Sequence, residues 1–323
     1  MKSLLLPLCL VTLSLGQPLP AQEVVAPTTA PVGAPVPAAG APPKWKGLRV
    51  GAEPPEGIRF SRHVVATYPE HTVELLVYTP TNPGKYPAIL DIHGGGWSKR
   101  QLEADRPMME RLAQRGFVTA LVSYRLSGEA RYPAALHDCK SAIRFMRHNA
   151  GKLGINPERI GLIGGSAGGH LAGLTAFTAG KWQFEGAGPL HGTDSSVQAC
   201  IIMAASQDLL EANIKGTSSN ALEFFGNSCA DYPELYRQAS PLAHIRKGVP
   251  PTIFIEGEKD TLKIGRKEAM EKLEELGIET GLHTLKYAPH PFWMSDPWCA
   301  ETVEIATRFF AKHLGGVQPL IPD

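Results

Sequence analysis

The sequence has no excess of charge of either sign: its 323 residues carry 32 Lys and Arg against 31 Asp and Glu, a formal net charge of +1. No basic run is longer than Lys99-Arg100, so the clustered cations that nucleic acids and anionic lipid surfaces attract are missing, and no nucleic-acid partner is expected. Long apolar runs are missing as well. The stretch Leu4–Leu15 is about a dozen residues, short of the ~20 that cross a bilayer as a helix, so no membrane span is expected. There is no HExxH, no paired CxxC and no carboxylate cluster, which removes the usual metal-ligand patterns. GxGxxG and a Gly-Lys-Ser/Thr ending are also absent, which argues against a phosphate-binding glycine loop. Neither a metal nor a cofactor is therefore expected. What is present is a 43% hydrophobic composition with 33 Gly and 28 Pro. That suffices for a proper core and is too rich in helix breakers for an all-helical bundle.

The N-terminus reads as an address followed by a tether. Lys2 gives a basic start, Leu4–Leu15 an apolar stretch, and Ser14-Leu15-Gly16 or Leu19-Pro20-Ala21 a small-residue exit, so residues 1–21 are expected to be an export signal and the protein secreted or periplasmic. Eight prolines between Pro18 and Pro43 hold the following segment extended, so residues 22–44 are expected to form a stiff Pro/Ala-rich linker. One folded domain is expected over residues 45–323.

With Cys9 in the export signal, four cysteines remain. Cys139 and Cys200 lie in apolar patterns and read as small buried hydrophobes. Cys229 and Cys299 lie in turn-rich sequence, where a disulfide between them is open in an oxidising compartment.

Strand-length apolar runs recur at Val73–Tyr78, Ala88–His93, Val118–Tyr124, Ile160–Gly164, Cys200–Ala205, Thr252–Glu256 and Leu282–Tyr287. Between several of them, Arg106–Arg115, Pro133–Asn149, Ala167–Ala179, Arg266–Leu276 and Thr302–His313 repeat apolar residues every three or four positions. Uniformly apolar strands separated by helices predict an α/β fold, a mostly parallel sheet covered on both faces. In such sheets polar residues at the C-terminal strand ends carry function.

Three strand ends carry such residues. Gly164-Gly165-Ser166-Ala167-Gly168 joins a strand directly to a helix, the context in which Gly-x-Ser-x-Gly presents a nucleophilic hydroxyl. The strand Ala88-Ile89-Leu90 leads into Asp91-Ile92-His93-Gly94-Gly95-Gly96-Trp97, whose glycine amides, with that of Ala167, can stabilise a tetrahedral oxyanion. One such donor is worth roughly 3–4 kcal/mol of barrier. His93 reads as a brace for this loop. The strand Thr252–Glu256 ends in Gly257-Glu258-Lys259-Asp260, and one helix and one strand later comes Ala288-Pro289-His290-Pro291. The order Ser166, Asp260, His290 is nucleophile, acid, base. Asp208, after an earlier strand, and Glu258 are alternative acids. His244 and His283 come too early for the base, His313 lies in the last helix, and His170 sits on the helix beyond Ser166 in a supporting position.

The segments DIHGGGW, RIGLIGGSAGGHLA, GEKD and APHPFW make the chain resemble the α/β-hydrolases, within them the HGGG-type serine esterases, and especially secreted bacterial esterases related to acetylxylan and feruloyl esterases. The resemblance extends from about Arg59 to Leu314. It implies an α/β-hydrolase fold with a small cap, Ser166 as nucleophile, His290 as general base then acid, and Asp260 as its orienting partner. It also implies oxyanion amides from Gly94, Gly95 and Ala167. The expected activity is hydrolysis of short-chain or aromatic acyl esters on an acylated carbohydrate, with loss of activity below about pH 6.5 as the imidazole protonates. A lipase-like esterase and a peptidase of the same fold are the alternatives. A non-catalytic binding protein is disfavoured because no triad member is missing. The segment 207–245 is expected to form the cap, and Trp97, Trp293 and Trp298 are candidates for lining the substrate cleft.

Overall fold

The computed structural model describes residues 46–48, 51 and 53–315, all within a compact unit that spans Pro42–Asp323. The expected export signal, Cys9 and the expected Pro/Ala-rich linker lie outside the described residues. The centre is an eight-stranded sheet. Its strands are β1 (Ile58–Thr67), β2 (Thr72–Pro80), β3 (Tyr86–Ile92), β4 (Val118–Val122), β5 (Ile155–Gly165), β6 (Ala199–Met203), β7 (Thr252–Gly257) and β8 (Thr280–Leu285). Their order across the sheet is β1-β2-β4-β3-β5-β6-β7-β8. β1 pairs antiparallel with β2 and β2 with β4, and every other pairing is parallel. This is the α/β-hydrolase fold.

The inner strands are largely apolar where both faces are covered. Every residue of β4 and β6 is buried. On one face lie α2 (Ala134–His148), α3 (Ala167–Phe177) and α7 (Arg266–Glu275), and on the other α1 (Leu102–Gln114) and α8 (Trp298–Leu314). On α2, Leu136, Cys139, Ile143 and Met146 are all buried, and so are Asp138, Lys140 and Arg144. Helix α3 is buried on all sides and, His170 apart, carries apolar or small residues all round.

The edge strand β1 escapes the sequence pattern. Its burial is broken by Arg59, Phe60, Arg62 and Val64, which face solvent or its margin, so no apolar run marks it. A further two-residue antiparallel bridge joins Lys46–Gly47 to Ser295–Asp296.

Three short helices fill the connection between β6 and β7: α4 (Leu209–Asn213), α5 (Ser219–Phe225) and α6 (Pro233–Gln238). Asp208 and Ser218 start the first two, accepting hydrogen bonds from the backbone N–H groups of Glu211 and Ala221. Phe224, Phe225 and Tyr236 are buried and fasten this cap to the body. All four described cysteines are buried free thiols, so Cys229 and Cys299 are not bridged. Each is buried in its own part of the core, Cys229 within the cap between α5 and α6 and Cys299 on α8.

Candidate active site

Ser166 occupies the turn between β5 and α3 with φ 57° and ψ −124°, a conformation that costs a non-glycine residue about 1–3 kcal/mol and is typical of functional sites. The turn is tight enough to require the flanking glycines. A Cβ on Gly168 would run into the Ile92 carbonyl oxygen, and one on Gly164 into the Gly168 backbone. The Ser166 N–H donates to the Met203 carbonyl at 2.9 Å, which ties the turn to the neighbouring strand.

His290 and Asp260 come to the same edge because β8 and β7 end there. Asp260 follows β7 in a turn closed by its own N–H on the Gly257 carbonyl at 2.9 Å. His290 Nδ1–H donates to Asp260 Oδ2 at 2.7 Å, and the Ser166 hydroxyl faces His290 Nε2 at 3.1 Å. Asp260 is buried. Burial alone would raise its pKa, but the hydrogen bond from His290, the N–H groups of Leu262 and Thr261 and the His290 charge together hold it below the ordinary carboxylate value. An ionised Asp260 can only accept, so the proton of a neutral His290 sits on Nδ1 and leaves Nε2 free to accept from Ser166.

The alternative acids point elsewhere. Glu258 accepts from the Tyr287 N–H at 2.8 Å, and Asp208 caps α4. His93 braces its loop: Nδ1–H donates to the Gly94 carbonyl at 2.7 Å, and the ring stacks on Tyr124 with centroids 4.3 Å apart. Burial pushes its pKa down to about 4, the Gly94 carbonyl opposing. His170 is buried under the cap. Its Nε2–H donates to the Ala239 carbonyl at 2.8 Å, and its Nδ1 accepts from the Trp97 indole N–H at 3.2 Å. Burial brings its pKa to about 4 as well, again against the carbonyl it donates to.

A cavity of about 290 Å³ opens beside Ser166. Its walls include Gly96, Trp97, Ala167 and His170 on one side and Leu209, Asn220, Leu262 and Ile264 toward the cap and the β7 turn. Of the glycines in the loop, Gly96 faces this cavity, whereas Gly94 packs against the Gly165 carbonyl and Ser166 Cβ and Gly95 against the Lys99 backbone. Trp97 lines this cavity, stacked on Phe224 at 4.8 Å. Trp293 and Trp298 do not, and this corrects the sequence expectation. Both are buried, and their indole N–H groups are spent on internal acceptors, Asp105 Oδ1 at 2.8 Å and the Lys286 carbonyl at 3.0 Å. Leu262, Ile264 and Asn220 were missed, since loop and cap residues carry no periodicity. Proximity to Asp260 was the one available signal for the first two.

Residues 75–269 match the BD-FAE family. The chain belongs to the BD-FAE family. Among curated proteins similar to this BD-FAE member is Esterase LipQ of Mycobacterium tuberculosis, 31% identical over 185 residues, or 56% of this chain and 44% of LipQ. Esterase LipC of the same organism is 29% identical over 228 residues, 67% of this chain and 55% of LipC. The chain thus spans about half the length of these two relatives. The apo form of Thermogutta terrifontis esterase 2 superposes with a TM-score of 0.69 at 27% identity, covering 84% of this chain and 100% of that one. The same esterase has been solved phosphorylated by paraoxon.

Proposed function

We propose that this BD-FAE protein is a serine carboxylesterase that works through an acyl-enzyme on Ser166. The observation that carries the reading is the single imidazole placed between a hydroxyl and a buried carboxylate. A serine hydroxyl is a weak nucleophile at neutral pH. As Ser166 Oγ attacks the ester carbonyl, its proton passes to His290 Nε2, and Asp260 stabilises the imidazolium that results. Negative charge develops on the carbonyl oxygen, where main-chain N–H groups of the glycine loop and of Ala167, the first residue of α3, are the natural donors. Gly94, Gly95 and Gly96 are the loop candidates. The tetrahedral species collapses, the C–O bond to the alcohol breaks, and His290 returns its proton to the leaving oxygen. Water then repeats the sequence on the acyl-enzyme, with His290 taking the proton of water and giving it to Ser166.

The acyl group is short or aromatic and the alcohol a carbohydrate in this reading. The cavity beside Ser166 supports the first part. About 290 Å³ lies at the small end of ligand pockets, and the flat Trp97 indole suits an acetyl or a planar acyl group. The carbohydrate alcohol and export from the cytoplasm belong to the same proposal, on the strength of the N-terminal sequence and the motif resemblance. The test is hydrolysis of p-nitrophenyl acetate by wild type and Ser166→Ala, followed by a panel of acetylated xylan, methyl ferulate, triglyceride and peptide amides. Turnover that depends on Ser166 and is highest on the acylated carbohydrate or the ferulate is the expected result. Equal turnover by both proteins removes the nucleophile assignment, and a preference for triglyceride or amide removes the substrate assignment.

A further inference from the structure

Behind the glycine loop lies a pair of carboxyl groups that the proposed reaction does not use. Asp91 is the next-to-last residue of β3 and Asp105 stands in the first turn of α1, and both are buried. The two carboxyls are neighbours, and among the described residues no cation pairs with either and no donor meets Asp91 Oδ1, Asp91 Oδ2 or Asp105 Oδ2. Asp105 has one partner, the Trp293 indole N–H, which donates to Oδ1 at 2.8 Å. The titratable groups that face the pair are Tyr124 after β4, Cys139 on α2 and Cys299 on α8. Burial pushes the ionisation of all three upward, so each is neutral at neutral pH.

Two adjacent carboxylates buried without a cation repel strongly, so the pair keeps a proton. Burial, and then the neighbouring carboxyl, hold Asp91 in its protonated form. Burial raises Asp105 too, but the Trp293 N–H favours its anion. Asp105 Oδ1 accepts from the indole N–H, so the proton is assigned to Asp91, whose O–H can donate to Asp105.

Trp293 is where this pair meets the triad. Its six-membered ring lies against Gly165, where no Cβ would fit, one residue before Ser166. It also meets the His290 ring edge-on, with centroids 5.5 Å apart and planes at 88°. We propose that Asp91 and Asp105 share a single proton and act as positioning residues for His290, anchoring the Trp293 indole as the wall against which His290 and the Ser166 turn are set. The positioning part rests on the esterase reading; the shared proton does not.

The test uses the full chain with Asp91→Asn, Asp105→Leu, Trp293→Phe and the double variant Asp105→Leu/Trp293→Phe. Asparagine at 91 puts an amide N–H where the Asp91 O–H donates, so it copies the protonated state. Per active site titrated with paraoxon, kcat on p-nitrophenyl acetate is expected to fall about tenfold in Trp293→Phe and Asp105→Leu at unchanged KM, because neither residue lines the cavity. Asp91→Asn should stay within about threefold of wild type, and the double variant should lose no more than the worse single one. Losses that multiply, a change in KM in place of kcat, or an Asp91→Asn variant as impaired as Asp105→Leu would overturn the proposal. If Asp105→Leu does not fold, Trp293→Phe and Asp91→Asn decide. Infrared spectroscopy reads the pair without turnover. A carboxylic-acid carbonyl band at neutral pH that vanishes in Asp91→Asn is expected, and its absence from wild type overturns the shared proton. A wild type that does not hydrolyse p-nitrophenyl acetate would sink the esterase reading and the positioning role, while the infrared band still decides the pair.

Discussion

His290 Nε2 stands 3.1 Å from Ser166 Oγ although 124 positions separate the two residues in the chain. The contact exists because β5 and β8 are parallel members of one sheet and both release their chains at the same edge. Ser166→Ala and His290→Ala should each lower kcat by roughly 10⁴–10⁶-fold, and the double variant should be no worse than the poorer single, because the two groups act as a unit. Kinetics on p-nitrophenyl acetate with the three proteins check this. Losses that multiply would mean that the two residues act independently.

The acid can be assigned the same way. Asp260→Asn keeps the shape of the 2.7 Å contact with His290 but permits the wrong imidazole tautomer, and a loss of about 10⁴-fold in kcat is expected. Asp208→Asn and Glu258→Gln touch a helix cap and a backbone N–H and should stay within about threefold. A large loss of kcat in either of these, with Asp260→Asn active, would move the acid to another strand.

The legible part of this molecule was local. A strand, a glycine-flanked serine and a helix adjoin in sequence, so the turn at Ser166 could be read directly, and the acid and base followed from their places at the ends of apolar strands. The burial of Trp293 and Trp298 could not be read, because an aromatic near a catalytic histidine looks the same in sequence whether it faces substrate or core. What separates the cases is an acceptor for the indole N–H, and Asp105, 188 positions from Trp293, is invisible to any local pattern. The edge strand β1 was hidden by its exposed Arg59 and Arg62. Asp91 did leave a trace, as a lone carboxyl inside an apolar strand.

Buried histidines give the fold a pH dependence of known sign. His170 is held down to about 4 by burial, whereas in the unfolded chain it binds a proton near its ordinary value of about 6.5. Between those values the unfolded state holds more protons at this site, so its contribution to stability falls as pH falls. The buried Asp91–Asp105 pair, raised in the folded state, acts with the opposite sign, its contribution being lost as pH rises. His170→Gln, which can still donate to Ala239 and accept from Trp97, should make the slope of stability against pH less positive between about pH 4 and 6.5. Urea titrations across that range check it; an unchanged slope would mean that His170 titrates normally.

Trp97 sets the width of the cavity next to Ser166, stacked on Phe224 and held by His170. Trp97→Ala removes that wall. The ratio of kcat/KM for p-nitrophenyl butyrate over acetate should rise about tenfold, within the range that pocket shape commands over small apolar groups. A ratio that does not move would place the acyl group on another side of Ser166.

The most direct measurement is the mass of the intact protein after treatment with paraoxon, with the modified peptide mapped. One diethylphosphoryl group per chain on Ser166, absent from Ser166→Ala and strongly slowed in His290→Ala, is the expected result. A wild type that hydrolyses p-nitrophenyl acetate yet carries the label on a different residue, or labels equally well without His290, would contradict a hydroxyl activated by that imidazole.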